Sequence, residues 1–524
     1  METKFSTLRN IIQRKETYIV IICLVLGFSL RLYTFDQKSL WMDEVHTFND
    51  SRDNLRGHLK YYRENPTTLH PPLFFILTHL FYPFQKPERD LRIIPLIFGT
   101  LAIPMIYLLS RLFSQGIALP CTLSLTFMTY HISLSQDGRS YALILFLGIV
   151  ALYFLMKHLS TTRRYYLFLV AVIYALLFYT SYASIPFILL SQVLWFYRAD
   201  HEAQKPHLSS FLIVNGLTLL FCIPWILFIM LNYKGESLMH PFHVEGTGSF
   251  LTILYLIIHD WAPHAPLMIS SIMLLVLFPF SSKNKTNALI LLALFILPVG
   301  GVYLFCKILN ITHFVSSRYF SNFLPPFLIT LYLSLHSAEA KFEKLRKFIR
   351  LKVLFVILFI ASNLFILPFY YRSEKQDFKG LVDYLKVHLQ ERDKILDGDL
   401  AYMPAILHYF GAYPKGRHQA ISYRKDADKR IEYRVPFVYK NKIFTLYWSA
   451  TCCDQYVADG SRLWIVVGKD TAKKFMVEKS PFVLKGYFDG SFLNFNKFPT
   501  DASIYLLLYD PRSPEEKGID LPIE

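Results

Sequence analysis

The sequence has few of the residues that mark several common kinds of site. Its six cysteines are scattered among 524 residues, with neither the spacing of a zinc site nor that of a disulfide framework. No Gly-rich phosphate loop, GxSxG elbow or HExxH motif is present. We therefore predict no nucleotide-binding site and no metal centre of a standard kind.

Acidic residues are also few, at 39 Asp and Glu against 55 Lys and Arg, for a net charge of +16. Such an excess of basic residues could indicate a nucleic-acid partner. Most of these residues, however, lie in short clusters between apolar runs, and there is no basic helix or aromatic RNA-binding signature. The basic clusters are typical of membrane topology, so we predict no nucleic acid among the partners.

Apolar residues are abundant, at 53% of the chain, and runs of about 16 to 20 apolar residues recur through the first 370 positions. This pattern predicts a polytopic helical membrane protein with about eleven transmembrane helices. A basic N-terminus precedes the first run, and no small-residue cleavage site follows it, which indicates an uncleaved signal anchor. The predicted spans are 17–33, 93–112, 117–135, 141–156, 165–181, 185–197, 208–230, 266–280, 287–306, 319–335 and 353–370.

The positive-inside rule gives the orientation: N-terminus in and C-terminus out. Alternate linkers carry Arg111, Arg163 and the cluster Lys341–Lys352 on the cytoplasmic side. This requires that Leu73–Phe84 not cross the membrane. Twelve helical residues rise only about 18 Å, so we predict an interfacial helix at 73–84 within a first outer loop at 34–92. A short tilted span is the open alternative.

Composition divides the chain into a transmembrane domain at 1–371 and a soluble extracytoplasmic α/β domain at 372–524. Residues 376–392 have helical periodicity with Phe378, Leu381, Val382, Leu385 and Leu389 on one face. Helices alternating with apolar strands are typical of an α/β domain. The predicted strands are 393–397, 462–468 and 503–510, and 401–410 is predicted to be a helix broken near Pro404.

The stretch SLWMDEVHTF, Ser39–Phe48, places two acids beside the first span. Asp43 could act as a general base toward a hydroxyl, with Glu44 beside it. The pair could instead bind a divalent cation, an alternative that stays open although no cofactor is predicted. A third reading is that Asp43 caps a short helix. Residue type alone favours the cap.

Further polar residues fall on the same predicted outer face. His70 begins an HPP motif and could hydrogen-bond a substrate or Asp43, with a structural polar contact as the alternative. Arg139 and Tyr141 stand at one outer helix end and Arg318 at another. Outer arginines break the charge rule and suggest an anionic partner such as a lipid phosphate, although an ion pair with Asp137 would also account for Arg139. Glu64, in the same loop, has a weaker case.

In order along the chain, LWMDE, HPPLFFILTHLF, RIIPLIFGTLAIPMIYLL and SQDGRSYAL resemble the N-terminal half of GT-C fold glycosyltransferases. The similarity is to the bacterial branch related to protein O-mannosyltransferases and aminoarabinose transferases. It covers roughly residues 17–160. The terminal α/β domain fits the family's general plan without adding sharp motifs.

The resemblance implies transfer of a hexosyl or pentosyl group, with inversion, from a polyprenyl-phosphate-linked donor to an extracytoplasmic acceptor such as lipopolysaccharide, lipid A, another envelope glycan or a protein. It implies a bacterial inner-membrane location with a periplasmic or extracellular active site. Asp43 matches the family's catalytic base, with Glu44 as its neighbour. Arg139, Tyr141 and His70 match donor-binding motifs, and Arg318 matches one more loosely. His46 matches no family position, so it is a candidate either for acceptor binding or for a structural role, and Glu64 is a further candidate for acceptor binding.

The runner-up function is a transporter or flippase of an anionic polyprenyl-linked lipid, which would use the same outer arginines as a gate. Such a protein is expected to have paired repeats with charged or helix-breaking positions near the midplane. No repeat is visible in the sequence. The large soluble domain also favours an enzyme with an extracytoplasmic acceptor.

Overall fold

A computed structural model of the chain describes residues 2–64, 70–197, 208–232, 249–308, 316–341, 350–398, 402–412, 422–425, 431–449, 454–457, 460–476, 480–491, 502–512 and 518–519. The chain forms two compact units. The membrane unit comprises Met1–Phe35 and Asp50–Pro368, and the C-terminal unit comprises Asp36–Asn49 and Phe369–Glu524. The sequence assigns residues 36–49 to a loop of the transmembrane domain, whereas in the structure they group with the C-terminal unit.

Helices make up nearly all of the described membrane unit. A helix lies over each of the eleven predicted spans, although several are interrupted. The helices are α1 (Glu2–Leu32), α2 (Met42–Ser51, which begins in the C-terminal unit), α3 (Leu55–Glu64), α4 (Leu73–Thr78), α5 (Pro87–Asp90), α6 (Ile93–Phe113), α7 (Ala118–Phe127), α8 (Thr129–Ser135), α9 (Tyr141–Thr161), α10 (Tyr165–Thr180), α11 (Ile185–Leu190), α12 (Leu208–Asn232), α13 (Phe250–Trp261), α14 (Ala265–Ser281), α15 (Lys285–Ile308), α16 (Leu324–Lys341) and α17 (Leu351–Arg372).

Five helices of the described ranges are long and apolar enough to cross a membrane, or up to seven spans if each bent pair counts as one. The bent pairs are α7 with α8, at 61°, and α13 with α14, at 115°. The chain is therefore a multi-pass membrane protein. The count of eleven and the orientation stay predictions, because several predicted spans are shorter or broken helices.

The break between α7 and α8 is stabilised by Arg31, which is completely buried at the end of α1. Its guanidinium donates to the carbonyl oxygens of Leu125 (3.0 Å) and Thr126 (3.2 Å) and to Nδ1 of His131 (2.7 Å). Those two carbonyls belong to the last turn of α7, which ends at Phe127 and leaves them without helical partners. The arginine supplies the donors that a lipid environment cannot.

Gln136 makes the reciprocal connection from the other side of the break. Its side-chain amide donates to the carbonyl oxygens of Arg31 (2.8 Å) and Tyr33 (2.6 Å), where α1 ends. Gln136 directly follows α8 and lies in the SQDGRSY segment (135–141). The buried polar contacts of the broken helix therefore fix the start of that segment.

The predicted interfacial helix at 73–84 is shorter in the structure. It consists of the six residues of α4 and a 3-10 turn at His79–Phe81, followed by extended backbone at Tyr82. Six α-helical and three 3-10 residues rise about 15 Å. This is about half of a bilayer core of roughly 30 Å, so the helical part alone is too short to cross it, and the interfacial position of 73–84 stays a prediction.

The C-terminal unit is built on a mixed seven-stranded sheet of order β2-β3-β4-β1-β5-β7-β6. In it β1 pairs in parallel with both β4 and β5, and the other neighbours are antiparallel. The strands are β1 (Lys394–Asp397), β2 (Ser422–Lys425), β3 (Ile431–Tyr439), β4 (Lys442–Ser449), β5 (Leu463–Gly468), β6 (Val483–Phe488) and β7 (Ile504–Tyr509). The helices are α18 (Phe378–His388), α19 (Met403–Tyr409), α20 (Asp454–Val457) and α21 (Lys469–Phe475).

The three predicted strands and the helix predicted within 376–392 are confirmed. The second predicted helix is also present, but it begins at Met403 with Pro404 in its first turn and is not broken there. The central strands β1, β5 and β7 are almost continuously buried, as expected of strands covered on both faces. The predicted apolar face of α18 is buried at four of its five positions, while Leu389 is half-buried and caps the helix. The fold class of helical membrane domain plus α/β domain is therefore correct.

We expect acidification to destabilise the membrane unit through His58, which is completely buried on α3. Desolvation by burial is the main reason that the pKa of His58 is lowered to about 4, even though its Nδ1 lies 2.5 Å from the carbonyl oxygen of Asp50. An unfolded histidine titrates near 6.5. Between these values the unfolded state binds more protons, so stability is lost as the pH falls.

The expected loss between pH 7.5 and pH 5 is about 2 kcal/mol. It can be measured as the change in the free energy of unfolding of the detergent-solubilised protein at the two pH values. In the variant His58→Gln, which cannot titrate, this part of the pH dependence should disappear. An equal acid-induced loss in both proteins would contradict the assignment to His58.

Candidate functional site

The acidic pair of SLWMDEVHTF lies in the first turn of α2. The Trp41 amide, just ahead of the helix, donates to Oε2 of Glu44 at 3.3 Å. Glu44 is 1% exposed. Its buried carboxylate accepts the backbone amide that precedes the helix, as the glutamate of a capping box does. Asp43 is half-buried one position earlier. The sequence suggests Asp43 as the cap, whereas the structure gives this capping bond to Glu44.

The segment that carries Asp43 is anchored within the C-terminal unit. The Lys38 ammonium donates to the carbonyl oxygens of Tyr370 and Ser373, the latter at 2.6 Å, and lies 4.0 Å from the centre of the Tyr370 ring. The Lys375 ammonium lies 4.8 Å from the ring of Trp41. These contacts join positions more than 330 residues apart in the chain.

In the membrane unit, the structure brings together two predicted site residues from distant parts of the sequence, Tyr141 and Arg318. Tyr141 is buried at the first position of α9, and Arg318 is half-buried on a 3-10 helix at Ser317–Phe323. The Arg318 guanidinium carbon lies 5.8 Å from the centre of the Tyr141 ring and 5.5 Å from that of Tyr319. Two aromatic faces thus hold a permanent positive charge in place.

Arg139 lies in the tight connection between α8 and α9. Its amide donates to the carbonyl oxygen of Asp137 at 2.6 Å, and its side chain is half-buried. Asp137 is 2% exposed. Arg139 and Tyr141 therefore lie on a turn followed directly by a helix start, where backbone amides and the helix dipole favour an anion.

The structure also reveals a residue that the sequence reasoning missed, Asp260 at the end of α13. Its Oδ2 accepts the Ser317 hydroxyl at 2.5 Å, and its Oδ1 lies 3.9 Å from Nδ1 of His259. Ser317 immediately precedes Arg318, so Asp260 is bonded to the 3-10 helix that carries this arginine. The scarcity of acids in the first 370 residues is the signal that could have found it.

The remaining predicted residues are placed as follows. His70 is exposed just ahead of α4, its ring 6.1 Å from that of Phe75, and Pro72 is the cap of that helix. His46 is exposed on α2. Glu64 ends α3, and its side chain lies outside the described residues.

No group of three or more His, Cys, Asp or Glu side chains able to hold a metal ion occurs among the residues that the structure describes. The two acids of the DE motif do not form such a group there. The divalent-cation alternative for Asp43 and Glu44 thus has no described third ligand of these types.

No protein-family model matches the sequence, and no curated protein matches it significantly. Comparison of structures, in contrast, finds clear similarities. ArnT from Cupriavidus metallidurans bound to undecaprenyl phosphate superposes with a TM-score of 0.50 at 12% identity, over 96% of this chain and 99% of ArnT. Its apo state gives the same TM-score and identity, over 97% and 99%.

An oligosaccharyltransferase from Archaeoglobus fulgidus, in a complex with zinc and sulfate, is also similar, at 12% identity and a TM-score of 0.45. This chain covers 61% of the length of that enzyme. The likeness to ArnT extends over nearly the whole of both chains and includes both units. The chain therefore has the GT-C fold that its LWMDE, HPP and SQDGRSY motifs predict.

Proposed function

We propose that the protein is a glycosyltransferase that moves a sugar from a polyprenyl-phosphate-linked donor to an extracytoplasmic acceptor. The observation that carries the proposal is the likeness to ArnT over 96% of this chain, in a structure that holds undecaprenyl phosphate. The ordered N-terminal motifs support the same assignment independently of the superposition.

The chemistry suits a membrane enzyme without a nucleotide-binding domain. A donor with a long polyprenyl tail stays in the bilayer, so its sugar phosphate has to be met at the membrane surface. The leaving group, polyprenyl phosphate, is already a stable anion. No phosphate loop is then needed, in agreement with the sequence.

Asp43 is proposed as the general base. It would take the proton of the acceptor hydroxyl as that oxygen attacks the anomeric carbon from the face opposite the phosphate. The new bond joins the acceptor oxygen to this carbon, the bond to the phosphate oxygen breaks with its electron pair, and the configuration inverts in one displacement. Glu44 would support the base through the helix start that it stabilises.

The donor phosphate is assigned to Arg318 and Arg139, with Tyr141 and His70 as further donor-binding residues. A guanidinium can bind two phosphate oxygens at once, and the charge developing on the leaving group strengthens those bonds in the transition state. Tyr141 is buried and contacts Arg318, which supports the proposal that the Arg318 guanidinium is held in position before the donor binds. His46 and Glu64 are proposed to contact the acceptor.

We further propose that the protein resides in a bacterial inner membrane with its active face and C-terminal unit on the periplasmic or extracellular side. The acceptor would be lipopolysaccharide or lipid A, another envelope glycan, or a protein. The transporter alternative is not favoured, because the nearly full-length structural likeness is to a glycosyltransferase.

The function is tested by comparing envelope glycans and glycolipids of cells with and without the protein by mass spectrometry. We expect one class of molecule to lose a single hexose or pentose unit, and plasmid-borne protein to restore it. Identical glycan profiles, together with no transfer by purified protein from undecaprenyl-phosphate sugars, would refute the proposal.

Replacing Arg318 with lysine should raise the donor KM by about tenfold or more, because lysine keeps the charge but cannot bind two oxygens or stack between two rings. The measurement is steady-state transfer at varied donor concentration. Arg111→Lys is a matched control, since Arg111 also lies over a tyrosine ring, that of Tyr107, at 5.4 Å. An unchanged donor KM in Arg318→Lys would contradict the phosphate-binding role.

A further inference from the structure

The backbone just ahead of Asp43 is bonded in an unusual way. Four consecutive amides, those of residues 39–42, each donate to a side chain. The acceptors are Glu374 Oε2 for Ser39 (3.2 Å), Tyr409 hydroxyl for Leu40 (2.6 Å), Glu44 Oε2 for Trp41 (3.3 Å) and Gln376 Oε1 for Met42 (3.1 Å). Three of these four acceptors come from the C-terminal part of the chain.

Tyr409 makes the shortest of these bonds and a second one. The Ser39 hydroxyl also donates to the Tyr409 hydroxyl, at 3.2 Å, and accepts the amide of Lys379 at 3.2 Å. Tyr409 is the last residue of α19. The residue before it, His408, contacts the Phe48 ring edge-on, with the two ring centroids 4.8 Å apart. The same short helix thus contacts the chain on both sides of Asp43 in sequence, at residues 39–40 ahead of α2 and at Phe48 on α2.

Buried apolar side chains also hold the segment around Asp43 in place. Leu40 and Val45, which flank the acidic pair, are both completely buried. A backbone whose amides are all bonded and whose flanking side chains are buried has few alternative conformations. The position of the Asp43 carboxylate is therefore set by the C-terminal unit and by α2 itself.

We propose that Tyr409 and Gln376 are positioning residues for Asp43, and that holding the base in a reactive geometry is a function of the C-terminal unit. This rests on the proposed transferase function, with Asp43 as base. Neither side chain takes part in the chemistry. Each acts by fixing a backbone amide within three residues of Asp43, where a displacement of about 1 Å can cost about 100-fold in rate.

The test is a double-mutant cycle on purified full-length protein, assayed with an undecaprenyl-phosphate sugar and the acceptor found by glycan analysis. Tyr409→Phe removes only the hydroxyl group, which accepts both the Leu40 amide and the Ser39 hydroxyl. We expect kcat to fall about tenfold or more, with the donor KM changed less than about twofold. In an Asp43→Asn background, the same change should have almost no further effect on kcat.

Gln376→Ala should behave in the same way, which keeps the test informative if one variant folds poorly. Tyr509→Phe is the matched control, because Tyr509 also lies in the C-terminal unit, at the end of β7, where its ring packs against that of Phe482 with centroids 5.8 Å apart. Its kcat should equal that of the wild type.

The outcomes separate this inference from the proposed function. Wild-type protein without transferase activity would refute the function. If Asp43→Asn abolishes transfer while Tyr409→Phe and Gln376→Ala keep the wild-type kcat, the function stands and the positioning role is wrong. A fall in kcat that is equally large in the Asp43→Asn background would likewise overturn the positioning role, since the residues would then act independently of Asp43.

Discussion

Replacing Asp43 with asparagine should lower kcat by about 10²- to 10⁴-fold, the usual contribution of a general base. Asparagine has nearly the same shape but cannot take the proton of the acceptor hydroxyl. Binding of the donor should be retained, because the phosphate is assigned to arginines elsewhere in the chain. The measurements are steady-state transfer and equilibrium binding of undecaprenyl phosphate.

Two other substitutions calibrate this result. Asp53→Asn changes an exposed acid nearby in the sequence and should leave kcat unchanged. Glu44→Gln keeps an oxygen that can accept the Trp41 amide. The fold-decrease in kcat of Glu44→Gln should therefore be at least about tenfold smaller than that of Asp43→Asn. Unaltered transfer by Asp43→Asn would rule out Asp43 as the base.

Replacing Gly490 with alanine should destabilise the C-terminal unit by about 3 kcal/mol. A β-carbon at this position would overlap the backbone of Ala502 and Ser503, which cannot turn aside as a flexible side chain can. The Gly490 amide also donates to the Ser503 hydroxyl at 3.0 Å. Unfolding in denaturant, followed by the fluorescence of the buried Trp464, measures the loss.

Gly490→Ala should also lower the transferase activity. Asp489, the preceding residue, accepts the amides of Glu374 through Oδ2 (2.6 Å) and of Asp377 through its carbonyl oxygen (3.0 Å). These amides belong to the stretch that supports residues 39–42. Gly216→Ala, at an open position on α12, is the control and should be neutral or slightly stabilising. Equal stability of both variants would contradict the packing argument.

The fold could be predicted where one physical signal dominates. The strands β1, β5 and β7 are short apolar runs, and α18 has a clear apolar face, so both were visible in the sequence. Strands β2, β3, β4 and β6 mix polar, charged and aromatic residues, and their pairing is decided by partners distant in sequence. The break at Met128 has no proline or glycine beside it, so periodicity across 117–135 predicts one continuous span.

The candidate site, like the fold, could be predicted only in part from the sequence. The residue types and the resemblance identify Asp43, Arg139 and Tyr141 from local motifs. The attachment of residues 36–49 to the C-terminal unit depends on contacts across more than 330 positions, which no local pattern encodes. The bond from Ser317 to Asp260 is equally non-local, and the roles of all these residues stay predictions until the variants are assayed.

Arg31 has a consequence for the order in which the protein is inserted into the membrane. Its guanidinium is buried, and its partners Leu125, Thr126 and His131 are synthesised 94 to 100 residues later. Until α7 and α8 arrive, this charge has none of those partners, and a lone arginine within lipid is costly. The first helix should therefore remain near the translocon, or close to water, until the broken helix is made, so that α1 and α7–α8 enter the bilayer as one assembled group.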